Sequence, residues 1–340
     1  MVDDRNIRGY RLAMRAVYGT EPNPDDPLSA ATFGDRPEPE SADGWVRVQM
    51  RAGSLNRHDL WTLRGVGIKP EQFPMILGCD GAGVLAEPAG DLAAGTEVVI
   101  YPVIADATLP DETLDPKRTL FTELHSGLLG ESAVVPLRNV LPKPASLSFE
   151  QAATLGCTYL TAYRMLFTRS GLLPGQTMLV QGASGGVSTA LIQLGTEAGL
   201  RVWVTGRNEE GRSRALQLGA AQAFEPGTRL PERVDGAFET VGEATWSHSM
   251  KSVRPGGVIV CSGATTGAAP SADLQRLFFL QISVIGSTMG TLDEMRRLIA
   301  FCDTAGIVPV VDRSYPLAEG PQALQDLENG AAGKLVLTIS

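Results

Sequence analysis

The sequence predicts an α/β protein of two parts, a β-rich half followed by a doubly wound parallel sheet, and three observations carry that prediction. Before residue 150 the chain shows short apolar runs broken by glycine and proline, with few helical stripes. From Thr177 onward, apolar β-branched runs alternate with helical patterns. At the first of these alternations stands a glycine turn, Gly182-Ala183-Ser184-Gly185-Gly186, with a strand pattern before it and a helix pattern after it.

Residues 1–13 read as a flexible extension, with Asp3, Asp4, Arg5 and Arg8 ahead of a strand-like Arg15-Ala16-Val17-Tyr18. The Pro- and acid-rich residues 21–43 read as surface loop, whereas Trp45-Val46-Arg47-Val48-Gln49-Met50 alternates as a half-buried strand. Residues 77–84 and 96–100 continue the glycine-rich β character. Residues 105–126 have no sustained period and contain Pro110, Pro116 and many charges, which predicts a surface lobe or lid. Ser148-Phe149-Glu150-Gln151 is a capping box opening a helix that holds Ala152, Ala153 and Leu155.

Six strands are then expected, at Val180 and at residues 202–204, 223–224, 236–238, 258–260 and 283–285. Thr291-Leu292-Asp293-Glu294 caps another helix, with Met295, Leu298, Ile299 and Cys302 on one face. The closing strand, Lys334-Leu335-Val336-Leu337-Thr338, is expected to return to the first part of the chain.

The glycine turn carries the first functional expectation. Val187, Ala190, Leu191, Leu194 and Ala198 form the apolar stripe of a helix, and the β-branched and aromatic Val202-Trp203-Val204 follows it, so the unit reads as βαβ. A turn at this place offers free backbone N–H groups and the positive end of a helix dipole to a phosphate. Aligned to the dinucleotide pattern G-x-G-x-x-G, the three positions are Ala183, Gly185 and Ser188; only the central glycine is kept, and the other two residues are small. The same residues also read as the hydrolase elbow G-x-S-x-G around Ser184, for which Asp235 and His248 are the available acid and base. His248 falls in a helix-like stretch rather than at a strand end, which favours the nucleotide. At the end of the second strand, Thr205-Gly206-Arg207-Asn208 lacks the acid that bonds an NAD ribose; Arg207 offers a planar cation for a 2′-phosphate. NADP(H) is the expected cofactor, with Glu209 or Glu210 as ribose ligands if the strand ends later.

Composition narrows the partners. The 340 residues carry 29 basic and 38 acidic side chains, a net charge of −9 with no basic block, so neither nucleic acid nor an anionic membrane is an expected partner. No apolar run approaches the roughly 20 residues of a membrane span, and the first residues are not a signal peptide, which points to the cytoplasm. Cys79, Cys157, Cys261 and Cys302 form no C-x-x-C pair, so neither a zinc ribbon nor a disulfide framework is indicated.

In order along the chain stand Gly53-Ser54-Leu55-Asn56 with Asp59-Leu60, Leu77-Gly78-Cys79-Asp80-Gly81-Ala82-Gly83, the glycine turn, Glu239-Thr240-Val241-Gly242, residues 278–290, and Gly333-Lys334-Leu335-Val336-Leu337. With these motifs the chain resembles the medium-chain dehydrogenase/reductase superfamily, in its zinc-binding-dehydrogenase-like and quinone-oxidoreductase-like branches. The resemblance covers nearly everything from Met14 to Ser340. It implies a GroES-like catalytic domain of residues 14–150 and 290–340, a Rossmann NADP-binding domain of residues 151–289, an active site in the cleft between them, and a homodimer or homotetramer. It also implies cofactor contacts from Gly182, Ser184, Gly185, Gly186, Val187, Thr205, Arg207, Thr240, Gly263, Ser287, Thr288, Met289 and Lys334.

In zinc-dependent members the ion is held by a Cys, a His-Glu pair and a later Cys or Asp; the matching positions here are Asn56, Cys79-Asp80 and Cys157. A thiolate and an imidazole are lost, so no metal is expected, although Cys79, Asp80 and Cys157 retain donor atoms. Residues 105–126 contain no cysteine, so the family's structural zinc lobe is absent. The implied catalytic residues are Asn56, Thr161 and His58, the last standing where alcohol dehydrogenases carry a proton-relay Ser or Thr. Arg57-His58 replaces the Tyr-Arg pair often found in quinone reductases. The expected activity is NADPH-dependent reduction of a quinone or an α,β-unsaturated carbonyl. Alternatives are an alcohol or aldehyde dehydrogenase with an atypical metal site, and a non-catalytic NADPH-binding protein.

Overall fold

The computed structural model describes residues 13–340. The extension expected over residues 1–13 thus lies outside the described residues up to residue 12, and Ala13 opens the strand Ala13–Gly19. Among the described residues, no helix is long and apolar enough to cross a membrane.

The N-terminal half is built on Trp45–Ser54, where buried Val46, Val48, Met50 and Ala52 alternate with less buried Trp45, Arg47, Gln49 and Arg51. This strand pairs antiparallel with Asp80–Leu85 on one side and with Ser132–Pro136 and Lys334–Thr338 on the other. The tail therefore enters the first half as a strand; its fully buried Leu335, Val336 and Leu337 supply the reason. One segment expected to be loop is not. Ala31–Pro37 pairs antiparallel with Ala13–Gly19, and because it is nowhere fully buried, it never needed the apolar alternation that marks a strand in sequence.

The six later strands lie in the order Gln222–Phe224, Arg201–Thr205, Thr177–Val180, Val234–Glu239, Val253–Cys261, Ser283–Gly286, all parallel. This is the doubly wound sheet expected. Its direction of winding reverses between Thr177–Val180 and Val234–Glu239, and the carboxyl ends of those strands frame the crevice where such sheets bind ligands. Thr177–Val180 is buried along its whole length, as a central parallel strand must be. The helix Gly186–Glu197 lies tightly on it: a Cβ at Gly195 would stand 2.6 Å from Met178 Sδ, so only glycine fits there.

A helical linker joins the two halves. Ser148 caps it, its Oγ accepting from Gln151 N at 3.2 Å. After Phe149–Ala152 the backbone widens into a π turn at Leu155–Tyr159, returns to α at Leu160–Tyr163, and widens again at Arg164–Arg169. Such bulges often accompany functional positions, and Cys157 and Thr158 lie in the first.

Candidate active site

The glycine turn sits at the crevice. Gly182 has φ 86°, a left-handed conformation that glycine adopts without strain, and its N–H donates to Thr205 Oγ1 at 3.3 Å. Thr205 in turn donates to Gln181 Oε1 at 2.6 Å, which locks the turn to the second strand. The first helical bond after the turn runs from Thr189 N to Gly185 O at 2.9 Å. The N–H groups of Gly186, Val187 and Ser188 are therefore left without helical acceptors, as an anion site requires. Ser184 and Gly185 stand at the rim of the turn and are not fully buried.

Further predicted residues line the same edge of the sheet. Thr240, Gly263 and Ser287 follow three successive strand ends, and a Cβ at Gly263 would stand 2.9 Å from Thr240 O. Ser287 Oγ is buried without a partner, while Thr288 is exposed. Met289 has φ 48°, and its Sδ lies 3.9 Å from Thr161 Oγ1 and 4.0 Å from Cys157 Sγ. Arg207 is exposed just past the strand Arg201–Thr205. That strand ends where expected: Asn208 caps the next helix by accepting from Gly211 N at 2.8 Å, which puts Glu209 and Glu210 on its exposed first turn.

Beside the glycine turn lies a buried ionic group. Lys334, 3% exposed, donates from Nζ to Leu55 O and to Asn56 Oδ1, both at 2.6 Å, and lies 3.7 Å from Asp80 Oδ2. Asp80 Oδ2 also accepts from Ser54 Oγ at 2.9 Å and Asn56 Nδ2 at 3.0 Å, whereas its Oδ1 has no hydrogen-bond partner among the described residues. Burial pushes the Asp80 carboxyl above its ordinary range, against the opposing pull of Lys334, Asn56 and Ser54. Asp59 is raised for the same reason, although Asn56 N and Gly78 N each donate to it at 2.8 Å. Lys334 also reaches the glycine turn, since a Cβ at Gly186 would stand 2.9 Å from its Cδ and 3.0 Å from Thr158 Cγ2.

These residues make a poor metal site. Asn56 turns its N–H2 group, not a lone pair, toward Cys79 Sγ at 3.6 Å and toward Asp80, and Lys334 fixes that orientation by taking the amide oxygen. The Cys79 thiol is pushed well up by its hydrogen bond with Cys157 and by burial. Among the described residues, no three His, Cys, Asp or Glu side chains converge as a metal-binding group. His58 opens the helix Arg57–Leu63, its Nε2 buried without a hydrogen-bond partner and 3.7 Å from Glu123 Oε1.

The structure also separates the rival triad. His248 meets Gln181 Nε2 at 2.9 Å and Thr228 O at 2.8 Å, and Asp235 is taken by Arg254, Thr177 N and Gln176. Neither is free to serve Ser184. Three features lay beyond the sequence reading. Gln181 ties the turn to Thr205 and to Ser249. Glu239 organises the opposite strand end by accepting from Val241 N, Gly242 N and Thr245 Oγ1. Arg212 Nη1 donates to Gly206 O at 2.8 Å, which brings a guanidinium to the backbone just before Arg207, with its Nη2 3.6 Å from Glu225 Oε1. Its signal was available: Arg212 lies one helical turn past the Asn208 cap.

Residues 42–145 match the alcohol dehydrogenase GroES-like domain, and residues 186–304 match the zinc-binding dehydrogenase family. The chain is 27% identical over 353 residues to the quinone oxidoreductase of Mus musculus, covering 97% of this chain and 99% of the other. It is 26% identical to the crotonyl-CoA reductase of Streptomyces collinus, over 98% of this chain and 88% of that one. Among solved structures, an NAD-dependent alcohol dehydrogenase superposes with a TM-score of 0.90 at 30% identity, covering 96% of this chain and 100% of that one. With both domains matched in order along the chain, and with oxidoreductases as its relatives, the chain belongs to the medium-chain dehydrogenase/reductase superfamily.

Proposed function

We propose that this protein is an NADPH-dependent reductase that adds hydride to a quinone or to the β-carbon of an α,β-unsaturated carbonyl, and that it works without a metal ion. The observation that carries the reading is the buried ionic group beside the glycine turn, where an ammonium and an amide N–H2 face Asp80 in place of metal-ligand lone pairs. A Lewis acid favours alcohol oxidation; a site built on hydrogen-bond donors and a fixed ammonium suits reduction, in which negative charge develops on the substrate oxygen. Similarity to a quinone oxidoreductase and a crotonyl-CoA reductase supports the substrate class.

Bound NADPH supplies the hydride. The backbone of Gly182, Ser184, Gly185, Gly186 and Val187 holds the diphosphate, with Lys334 adding charge beside Gly186. Thr205 leaves room for the 2′-phosphate, which Arg207 grips from solvent. Thr240, Gly263, Ser287 and Thr288 line the groove along the strand ends, and Thr161 and Met289 orient the reacting ring. Asn56 works from inside, its polar atoms already committed to Lys334, Ser54 and Asp80, so it holds the lysine rather than the substrate. We assign the proton that the reduced substrate takes to His58, whose side chain would have to leave its place 3.7 Å from Glu123 Oε1 to deliver it.

The test is a binding titration with NADPH and NADH, followed by oxidation of bound NADPH against a panel of quinones and enones, with metal analysis of the protein. Tight NADPH, weak NADH and turnover without bound zinc are expected. About one zinc per chain would replace this reading with that of a metal-dependent alcohol dehydrogenase, and binding without turnover would leave a nucleotide-binding protein.

Among the described residues the edge strand Ser283–Gly286 pairs on one side only, with Val284 half exposed and the neighbouring Phe278 and Phe279 exposed at 68% and 77%. We infer that two copies join these edges across a two-fold axis. Analytical ultracentrifugation checks this, and a monomer at micromolar concentration would end it.

A further inference from the structure

The segment that ends the sheet edge, from Ser287 to Leu292, is held from two parts of the chain. Upstream, Ser287 N donates to Cys261 O at 2.8 Å, within the doubly wound sheet. Downstream, the hold comes from the first half. The buried Tyr101 hydroxyl lies 2.6 Å from Glu112 Oε1 and 2.8 Å from Gly290 O, sharing its one proton between them, and Leu292 N donates to the same Glu112 oxygen at 2.6 Å. Glu112 itself is pinned by Arg138 at 2.5 Å. Gly290 has no room for a side chain, since a Cβ there would stand 2.6 Å from Leu160 Cδ1. Between the two anchors sits Met289 at φ 48°, a left-handed conformation that a long side chain rarely adopts. Backbone strain of this kind persists only where the surroundings over-determine it.

We propose that Tyr101 and Glu112 are positioning residues for hydride transfer: their clamp on Gly290 and Leu292 forces Met289 into its left-handed conformation and sets its side chain across Thr161 and Cys157. The inference rests on the reading that the reduced ring packs against Thr161 and Met289. Residues 105–126, expected as a lobe or lid, thereby have a specific task. The lobe carries Glu112, and next to it Asp111 receives Arg164, which also holds Glu294 at the start of the helix Leu292–Ala305. The seating of the lobe on that helix fixes Met289, so the geometry of the reacting edge is set by a contact between the two halves of the chain. Neither Tyr101 nor Glu112 needs to touch the substrate.

Two measurements test this, one of them independent of turnover. Met289→Gly and Met289→Ala are compared by thermal unfolding, alone and combined with Tyr101→Phe. With the clamp intact, glycine should melt roughly 2 °C above alanine, because alanine pays for the left-handed backbone. With Tyr101→Phe the difference should vanish. An unchanged difference in both backgrounds overturns the clamp, and Glu112→Gln repeats the comparison if Tyr101→Phe does not fold. In turnover, Tyr101→Phe should lower kcat roughly tenfold through misplacement alone, raise the isotope effect with 4-deuterated NADPH, and leave the NADPH Kd within about twofold. Unchanged kcat overturns the positioning role. If the wild type itself proves inactive, the reductase reading fails while the melting comparison still decides the clamp.

Discussion

Two ionic clusters, one fully buried around Lys334 and one partly exposed around Arg138 and Arg164, are finished to different degrees. In the first, Lys334 stands alone against Asp80 and Asp59; Asp80 keeps one oxygen without a hydrogen-bond partner among the described residues, and burial raises both carboxyls. In the second, Arg138 and Arg164 face Asp111, Glu112 and Glu294, with Tyr101, Thr291 N and Leu292 N adding hydrogen bonds. There burial also pushes Glu112 and Asp111 up, but the hydroxyls, guanidiniums and N–H groups outweigh it and hold both below the ordinary carboxylate range. The same residue types thus serve opposite ends. A saturated cluster fixes geometry, whereas an under-saturated one carries a desolvation cost that its own partners do not offset.

The largest test of this contrast is Lys334→Met. It strands Asp80 without a compensating charge and should cost about 3 kcal/mol in urea unfolding, together with a large loss of NADPH affinity. Adding Asp80→Asn should restore the stability but not the affinity, because only the stability defect comes from the stranded carboxylate. Arg164→Met in the second cluster should destabilise comparably and leave NADPH binding alone. If both variants lose affinity equally, the Lys334 cluster has no special claim on the ligand.

Arg207 sharpens the comparison because it is neither buried nor held by any hydrogen bond or ion pair among the described residues. Arg207→Ala should leave stability unchanged and weaken NADPH by roughly tenfold, the worth of one charge-assisted contact, with NADH little affected. Equal weakening of the two nucleotides would remove the 2′-phosphate from this arginine.

The smallest effect is the response to acid. Carboxyls held low, such as Glu112 and Asp111, stabilise the fold fully above their unfolded values near pH ~4, and lose that contribution as pH falls through their folded values. Asp80, held high, does the reverse: its protonation favours the folded state as pH drops from neutrality. Urea midpoints against pH should therefore show Glu112→Gln flattening the acid limb, and Asp80→Asn removing a gain in mild acid. A Glu112→Gln profile that parallels wild type below pH ~4 would contradict the low carboxyls of the second cluster.

The doubly wound sheet was legible because its signals are local. The stripe from Val187 to Leu194, the β-branched runs and the turn at Gly182 each lie within one element, and each formed where its own neighbours dictated. The clusters were not legible, because their partners meet only after folding. Lys334 and Asn56 are 278 residues apart, and Leu292 and Glu112 are 180 apart. No periodicity announces such a pair. Asn56 shows the cost: its motif marked it as a site residue, but only the fold shows that its amide faces inward and holds the lysine. The G-x-S-x-G reading of Ser184 was already disfavoured by the helix-like setting of His248, and the fold adds that His248 and Asp235 are engaged elsewhere.

The crowding at Gly186 reaches beyond this one chain. Any side chain there would displace Lys334, whose Cδ lies 2.9 Å from the missing Cβ, so the start of the helix Gly186–Glu197 and the tail of the polypeptide are sterically married. They can drift only as a couple. A chimera that transplants a foreign nucleotide-binding segment into this scaffold would have to import a glycine at that position or surrender the lysine. A survey of natural homologues should find larger residues at the first place only where the second has shortened.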